Sequence, residues 1–148
     1  MRNIKSFGIP ALLFILFLFA SCDEYGPETI QYNKEECDQC RMTISDRRFG
    51  CELVTLKGRT YKFDDLSCMM DFTKQNQDKC KGAGLYLSDY ISPNNLMLSE
   101  RFTLVKGDEV GSPMGGNIAA FTSADSARFY LTLWKAEMKD WSSIESNK

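Results

Sequence analysis

Two short segments near the centre of the chain alternate apolar and polar residues. Residues 51–56 and 60–63 both have β-strand composition, and a glycine-containing turn separates them. This pattern predicts a β-hairpin. Asp64 or Asp65 follows the second strand and is expected to cap a helix that runs to about Lys74.

The second half of the chain shows similar patterns. Strand signals occur at residues 85–87, 90–91, 102–106 and 117–121, and a glycine-rich loop occupies residues 107–116. Ser123 is predicted to cap a final helix. Its predicted apolar face recurs with helical spacing and comprises Ala127, Tyr130, Leu131, Trp134, Met138 and Trp141.

The two strand–helix patterns resemble each other. The stretch YKFDDLSCMMDF from Tyr61 and the stretch AAFTSADSARF from Ala119 each contain a strand, a capping residue and a helix with a phenylalanine. Chance similarity of generic strand–helix patterns is an open alternative. The repeat predicts an α+β fold built from two small ββα-type units, at about residues 37–91 and 92–141.

The first 21 residues predict a signal for export. An unbroken run of ten apolar residues, 11–20, follows two positive charges and is shorter than the roughly 20 residues that span a bilayer. Ala20 and Ser21 lead to Cys22 in the manner of a bacterial lipoprotein signal, with an ordinary secretory signal as the alternative. Cys22 is therefore expected to carry a lipid that anchors the chain to an extracytoplasmic membrane face, in a leaflet left open. Residues 22–36 are polar and predict a flexible tether.

Charge and composition exclude several classes of protein. The signal holds two of the 18 basic residues and none of the 20 acidic ones, so the mature charge is −4. An acidic chain without a basic run is a poor nucleic-acid binder. The chain also has no histidine, which excludes Ser-His-Asp and Cys-His catalysis and imidazole metal ligands.

Sulfur-containing side chains are concentrated in three segments. They are a CxxCxM segment, the first turns of the predicted helix and the glycine-rich loop, and the candidate ligands are Cys37, Cys40, Met42, Cys68, Met69 and Met114. Thiolates with thioethers and without imidazole favour Cu(I) over Zn(II). Arg41, beside Cys40, is expected to favour the thiolate form of that cysteine.

The cysteines also permit other interpretations. Cys37 and Cys40 fit a disulfide, either structural or the redox centre of a thiol–disulfide oxidoreductase. Together with Cys68 and Cys80 they fit a four-cysteine zinc site of an interaction module. Cys51 and Cys80 look structural and are candidates to pair with each other. The methionines of the predicted helix fit the hydrophobic core as well as a metal site.

Three motifs occur in an order typical of one protein family. They are Cys40-Arg41-Met42, the FDDLSCM stretch at 63–69, and the PMGG stretch at 113–116 followed by Ala120-Phe121. Together they resemble the NosL family, lipoproteins accessory to nitrous oxide reductase, from residue 37 to about 134. The resemblance implies two ββα-based repeats related to the small domain of organomercurial lyase. It also implies a copper(I) chaperone without enzymatic activity, in which Cys40, Met42 and Met114 contribute metal-binding sulfur.

This sequence departs from the family at two positions. Arg41 stands where the family has glycine, which affects the geometry of the turn, and Cys37 adds a thiol that not every member has. Cys37 is expected either to bind copper with Cys40 or to form a structural disulfide with a more distant cysteine. The sequence thus predicts a lipid-anchored Cu(I) carrier that delivers copper by ligand exchange to an extracytoplasmic cuproenzyme, expected to be nitrous oxide reductase.

Overall fold

The computed structural model describes residues 25–93 and 95–145. The predicted export signal, residues 1–21, and the predicted lipid attachment site, Cys22, lie outside these ranges. None of the helices in the described part is long and apolar enough to cross a membrane.

The first sheet is antiparallel and has four strands. Strand β1 (Cys51–Val54) pairs with β2 (Thr60–Phe63) on one side and with β3 (Gly84–Ser88) on the other. Strand β4 (Leu96–Leu98) pairs with β3, which gives the order β2-β1-β3-β4. The predicted hairpin is therefore confirmed, although its first strand ends at Val54.

Helix α1 (Leu66–Gln75) begins after Asp65 and packs against this sheet, and the short helix α2 (Gln77–Cys80) follows. The apolar residues of helix α1 are buried: Leu66, Cys68, Met69, Met70 and Phe72. The Phe72 ring lies 4.6 Å from the Tyr61 ring and 5.2 Å from the Phe63 ring, measured between centroids. Aromatic contacts thus hold the helix to β2.

The second sheet has three strands and its own helix. These elements are β5 (Thr103–Lys106), β6 (Ile118–Phe121), helix α3 (Ala124–Leu133) and β7 (Glu137–Lys139), followed by helix α4 (Trp141–Glu145). Single-turn 3₁₀ helices, Ser99–Arg101 and Asp108–Val110, flank β5. Phe121 is fully buried and centres a separate hydrophobic cluster with Val105 and Ala127.

The two halves share one topology. Each runs strand, strand, helix, strand, with its first strand in the middle: β2-β1-β3 and β6-β5-β7. The mixed architecture confirms the α+β class, and each unit is ββαβ because a third strand returns to the sheet. Residues 96–98 fall within the predicted second repeat, 92–141, but they form β4, which pairs in the first sheet. The relation to organomercurial lyase stays a prediction.

The final helix is shorter than predicted. Helix α3 ends at Leu133, and Lys135 adopts the left-handed conformation at φ +50° while the Ala136 N–H donates to the Leu131 carbonyl. A left-handed residue of this kind terminates a helix. Met138 therefore lies in β7 and Trp141 begins α4, so the predicted face is wrong beyond Trp134.

The packed domain begins before residue 37, where the predicted tether was expected to end. Ile30 is buried in the first core. The Lys62 ammonium lies 2.9 Å from a Glu35 carboxylate oxygen, and the Glu28 N–H donates to buried Glu52 at 2.7 Å. These contacts fix the segment on the sheet, so the prediction that all of residues 22–36 are flexible is wrong.

Candidate metal centre

The CxxC segment forms a tight loop closed by its own backbone. The Cys37 N–H donates to the Met42 carbonyl at 2.8 Å, and the Arg41 N–H donates to the Cys37 carbonyl at 3.0 Å. Two hydrogen bonds join the loop to β2. The Asp38 N–H donates to the Lys62 carbonyl, and the Lys62 N–H donates to the Asp38 carboxylate, both at 2.8 Å. The loop therefore has a fixed position on the sheet.

Arg41 adopts a conformation that normally favours glycine. Its φ is +65°, in the left-handed region, where a side chain costs about 1 kcal/mol or more. This explains why glycine suits this position in the family that the sequence resembles. The closing hydrogen bonds of the loop form with arginine as well, so the departure strains the turn without opening it.

The N-terminus of helix α1 supplies a third thiol. Asp65 caps the helix, and its Oδ1 accepts from the Cys68 N–H at 3.1 Å and from the Ser67 hydroxyl at 2.7 Å. This cap fixes Cys68 in the first turn, where it is buried. A helix N-terminus favours an anionic ligand such as a thiolate.

The structure brings Cys37, Cys40 and Cys68 together. Their sulfur atoms all lie within 4.8 Å of one another. A metal bound about 2.3 Å from each of three thiolates in one plane needs sulfurs about 4.0 Å apart. Less than an ångström of closure therefore converts this cluster into a three-coordinate thiolate site.

Two thiols of the cluster, those of Cys40 and Cys68, have raised pKa values and therefore favour the protonated form. Burial raises the pKa of Cys40, against the effect of a hydrogen bond from the Met42 backbone, and burial together with the neighbouring Cys37 raises the pKa of Cys68. Arg41 was expected to favour the thiolate form of Cys40, but the pKa of Cys40 is raised by burial and Arg41 is not among the groups that shift it. A metal must displace protons to bind here.

Asp65 also connects the glycine-rich loop to the cluster. Its second oxygen, Oδ2, accepts from the Ser112 hydroxyl at 2.8 Å and from the Met114 N–H at 3.1 Å. One buried carboxylate thus holds both the helix turn that carries Cys68 and the loop that carries Met114. The capping role was predicted from the sequence, but the link to a loop 49 residues away was not.

Gly116 allows the loop to approach the helix closely. A Cβ at this position would lie 2.7 Å from the Cβ of Ser67, a separation that side chains do not tolerate. The absence of a side chain at Gly116 therefore permits the close backbone approach.

The candidate methionines differ in their environments. Met42 is 55% exposed and Met114 is 37% exposed, and backbone hydrogen bonds anchor them to Cys37 and to Asp65. Met69 is fully buried in the core. Because successive helical residues point about 100° apart, its side chain leaves the helix away from that of Cys68, and we assign Met69 to packing rather than to the metal.

Cys51 and Cys80 stay outside the three-sulfur cluster. All five cysteines in the described part of the chain are free thiols, so the suggested Cys51–Cys80 pair and the Cys37–Cys40 disulfide are not formed. Cys80 is likewise absent from the cluster that the four-cysteine zinc site requires. Burial raises the pKa of Cys51, so its thiol stays protonated.

The chain is thus an α+β protein with a compact all-thiol centre suited to a soft metal ion, and two exposed methionines lie on loops hydrogen-bonded to Cys37 and Asp65. The chain belongs to the NosL family, whose profile matches residues 29–147. The resemblance stated from the motifs is thereby confirmed. Among curated proteins, none matches the chain.

A solved structure shares this architecture. The crystal structure of the copper chaperone NosL from Shewanella denitrificans superposes with a TM-score of 0.67 and 17% sequence identity. The match covers 83% of this chain and 100% of that one. At this level of identity the likeness establishes the common fold.

Proposed function

We propose that this protein is a Cu(I) metallochaperone that carries copper outside the cytoplasm and delivers it to a cuproenzyme, with nitrous oxide reductase as the expected acceptor. It is a carrier and has no catalytic cycle. The observation that carries the proposal is the cluster of Cys37, Cys40 and Cys68 in a chain without histidine. Membership of the NosL family and the fold shared with a copper chaperone support it.

The donor set fits Cu(I) better than Zn(II). Structural zinc is almost always held by four ligands in a tetrahedron, whereas thiolate and thioether ligands select Cu(I). The described cluster offers three thiols, and the thioethers of Met42 and Met114 lie on loops that are hydrogen-bonded to Cys37 and to Asp65. Cys37 is fully buried and the CxxC lies in a loop rather than at the start of a helix, whereas the reactive cysteine of a thiol–disulfide enzyme is accessible.

A gradient of exposure suggests how copper moves. Cys37 and Cys68 are buried, Cys40 is partly exposed, and Met42 and Met114 are exposed. We infer that the buried thiols hold the ion while the exposed sulfurs give it to an acceptor one bond at a time. Transfer by ligand exchange then never requires a free copper ion.

Substitutions at the sulfur positions test this assignment. Cys40→Ser is expected to remove most Cu(I) binding, and Met114→Leu to weaken it, because leucine keeps the bulk of methionine and loses the donor. Cys80→Ser is the matched control, since its thiol lies outside the cluster. Competition against a Cu(I) chelator under reducing conditions measures the affinities. Equal affinity in all of these proteins, or purified protein that contains zinc, contradicts the proposal.

The pH dependence of binding distinguishes two possible ligand sets. Because the pKa values of Cys40 and Cys68 are raised, each thiol releases a proton when it binds copper. Cu(I) affinity should therefore increase with pH by about two logarithmic units per pH unit or more. A slope of about one would indicate that Cys40 is the only thiolate ligand, with Met42 and Met114 completing the site.

We also propose that Cys22 is lipidated and anchors the carrier to the membrane. The junction Ala20-Ser21-Cys22 after an apolar run supports this. Cys22→Ala should release the protein from membranes, because the lipid is attached through that sulfur. Unchanged membrane association after washing at high salt would show that the anchor is wrong, without affecting the copper site.

A further inference from the structure

A concave groove of about 1060 Å³ opens beside the CxxC loop. Asp38 and Arg41, which belong to that loop, form part of its wall, and the β1–β2 turn and the residues around helix α2 form the remainder. Arg41 lies between Cys40 and Met42. The groove therefore borders the candidate copper ligands.

The groove is rich in positive charge although the chain as a whole has a net charge of −2. Five exposed cations line it: Arg41, Lys57, Arg59, Lys79 and Lys81. Among the described residues, only two carboxylates, Asp38 and Asp78, line the groove with them, and Asp38 accepts a hydrogen bond from the Lys62 backbone. Among residues 25–93 and 95–145, none of the ion pairs involves one of these five side chains, so their charges remain available to a partner.

Apolar surface accompanies this charge. Leu56, at the β1–β2 turn, is 74% exposed, the most of any large apolar side chain in the described part. Tyr61 and Phe72 line the groove more deeply, and the Arg59 guanidinium lies 4.8 Å from the centre of the Tyr61 ring. An apolar centre with a charged rim is the composition of a protein–protein interface.

We propose that this groove docks an acidic segment of the protein with which the chain exchanges copper. The inference rests on the proposed copper-carrier function and adds the chemistry of the partner. A partner seated there has its own ligands beside Cys40 and Met42, and complementary charge accelerates the encounter. The concave shape and the carboxylates in its lining suit a protein segment better than a flat anionic membrane.

The binding test uses the full chain and thiol-free fluorescent peptides, one rich in glutamate and a matched one rich in lysine. The double variant Lys57→Glu/Lys81→Glu removes the groove charge. The control Arg101→Glu/Arg128→Glu changes the net charge equally at exposed sites outside the groove. Wild type and control should bind the glutamate peptide, the groove variant about tenfold more weakly, and high salt should suppress the difference.

Copper measurements separate this proposal from the proposed function. Cu(I) affinity should be equal in all three proteins, since none of the substitutions removes sulfur. Transfer to a copper-binding peptide with a glutamate-rich flank should be slower from the groove variant alone.

Equal binding of the glutamate peptide by the groove variant and wild type overturns the docking proposal. Groove-dependent binding to phosphatidylglycerol vesicles but not to the peptide overturns it in favour of a membrane. Peptide binding without any Cu(I) binding would overturn the copper function and leave the docking surface.

Discussion

The two ββαβ units have the same framework but contribute differently to the candidate site. In both, two residues separate a four-residue strand from a ten-residue helix, and the second of these residues caps the helix. Asp65 is this cap between β2 and α1, and Ser123 is the cap between β6 and α3. The Asp65 carboxylate accepts from the Cys68 N–H, and the Ser123 hydroxyl accepts from the Ser126 N–H. The second unit thus has serine at the helix position where the first has a cysteine of the cluster.

The loops between the first two strands of each unit also differ. Residues 55–59 connect β1 to β2 in a tight turn, whereas residues 107–117 connect β5 to β6 and carry Met114. That longer loop reaches the first unit through Asp65. The shared framework thus fixes positions in space, while function depends on which side chain occupies each position and on which loop is extended.

Exchanging the residues at the equivalent helix positions should have the largest effect. Cys68→Ser removes a buried thiolate ligand, and Cu(I) affinity should decrease at least about a hundredfold, or about 2.8 kcal/mol. Adding Ser126→Cys supplies a thiol at the matching position of α3, away from the Cys37–Cys40 loop, and should restore nothing. Chelator competition measures both proteins. Unchanged Cu(I) affinity in Cys68→Ser would mean that the first unit, like the second, does not need a cysteine at this helix position.

The two helix caps should differ in their importance for stability. Asp65 is buried and accepts four hydrogen bonds, so Asp65→Asn should lower the free energy of unfolding by about 2–4 kcal/mol. Ser123 is exposed, and Ser123→Ala should cost about 1 kcal/mol. Urea unfolding of both variants makes the comparison. Similar losses would contradict the assignment of Asp65 as the connection between the two units.

The extended loop should depend on glycine at one point of contact. Gly116→Ala places a Cβ against Ser67 and should destabilise the protein by about 1–3 kcal/mol while weakening Cu(I) binding through displacement of Met114. Gly111→Ala is the control: its Cβ meets open space, and only its backbone conformation at φ +62° is strained, so copper affinity should be unchanged. Thermal unfolding and chelator competition report the two effects. Equal copper affinity in both variants would mean that the contact does not position the site.

The smallest effect is expected at Arg41, in the loop outside both sheets. Arg41→Gly relieves the left-handed strain but makes the unfolded chain more flexible, so stability should rise by about 0.5–1 kcal/mol at most. Denaturant unfolding measures this change. A clear loss of stability would show that the arginine side chain holds the loop through contacts that outweigh its backbone strain.

Several features of the fold were predictable because they depend on neighbouring residues. The hairpin of residues 51–63 and the caps at Asp65 and Ser123 follow from alternation and side-chain chemistry over a few positions. The helix prediction failed beyond Trp134 because a helical spacing of apolar residues continues where the backbone turns at Lys135. Strands β4 and β7 were missed because each has only three residues, too few to show a clear alternation, and β7 also pairs with β5 from well before helix α3.

The class of chemistry follows from the amino-acid sequence alone. It has six cysteines and no histidine, and its CxxCxM, FDDLSCM and PMGG motifs indicate both the soft metal and the family. The folded chain was needed to show that Cys37, Cys40 and Cys68 form one cluster, that Cys51 and Cys80 lie outside it, and that Met69 belongs to the core. This is because a metal site depends on distances between sulfur atoms. Those distances are set by strand pairing and by the hydrogen bonds of Asp65, which join residues far apart in the chain.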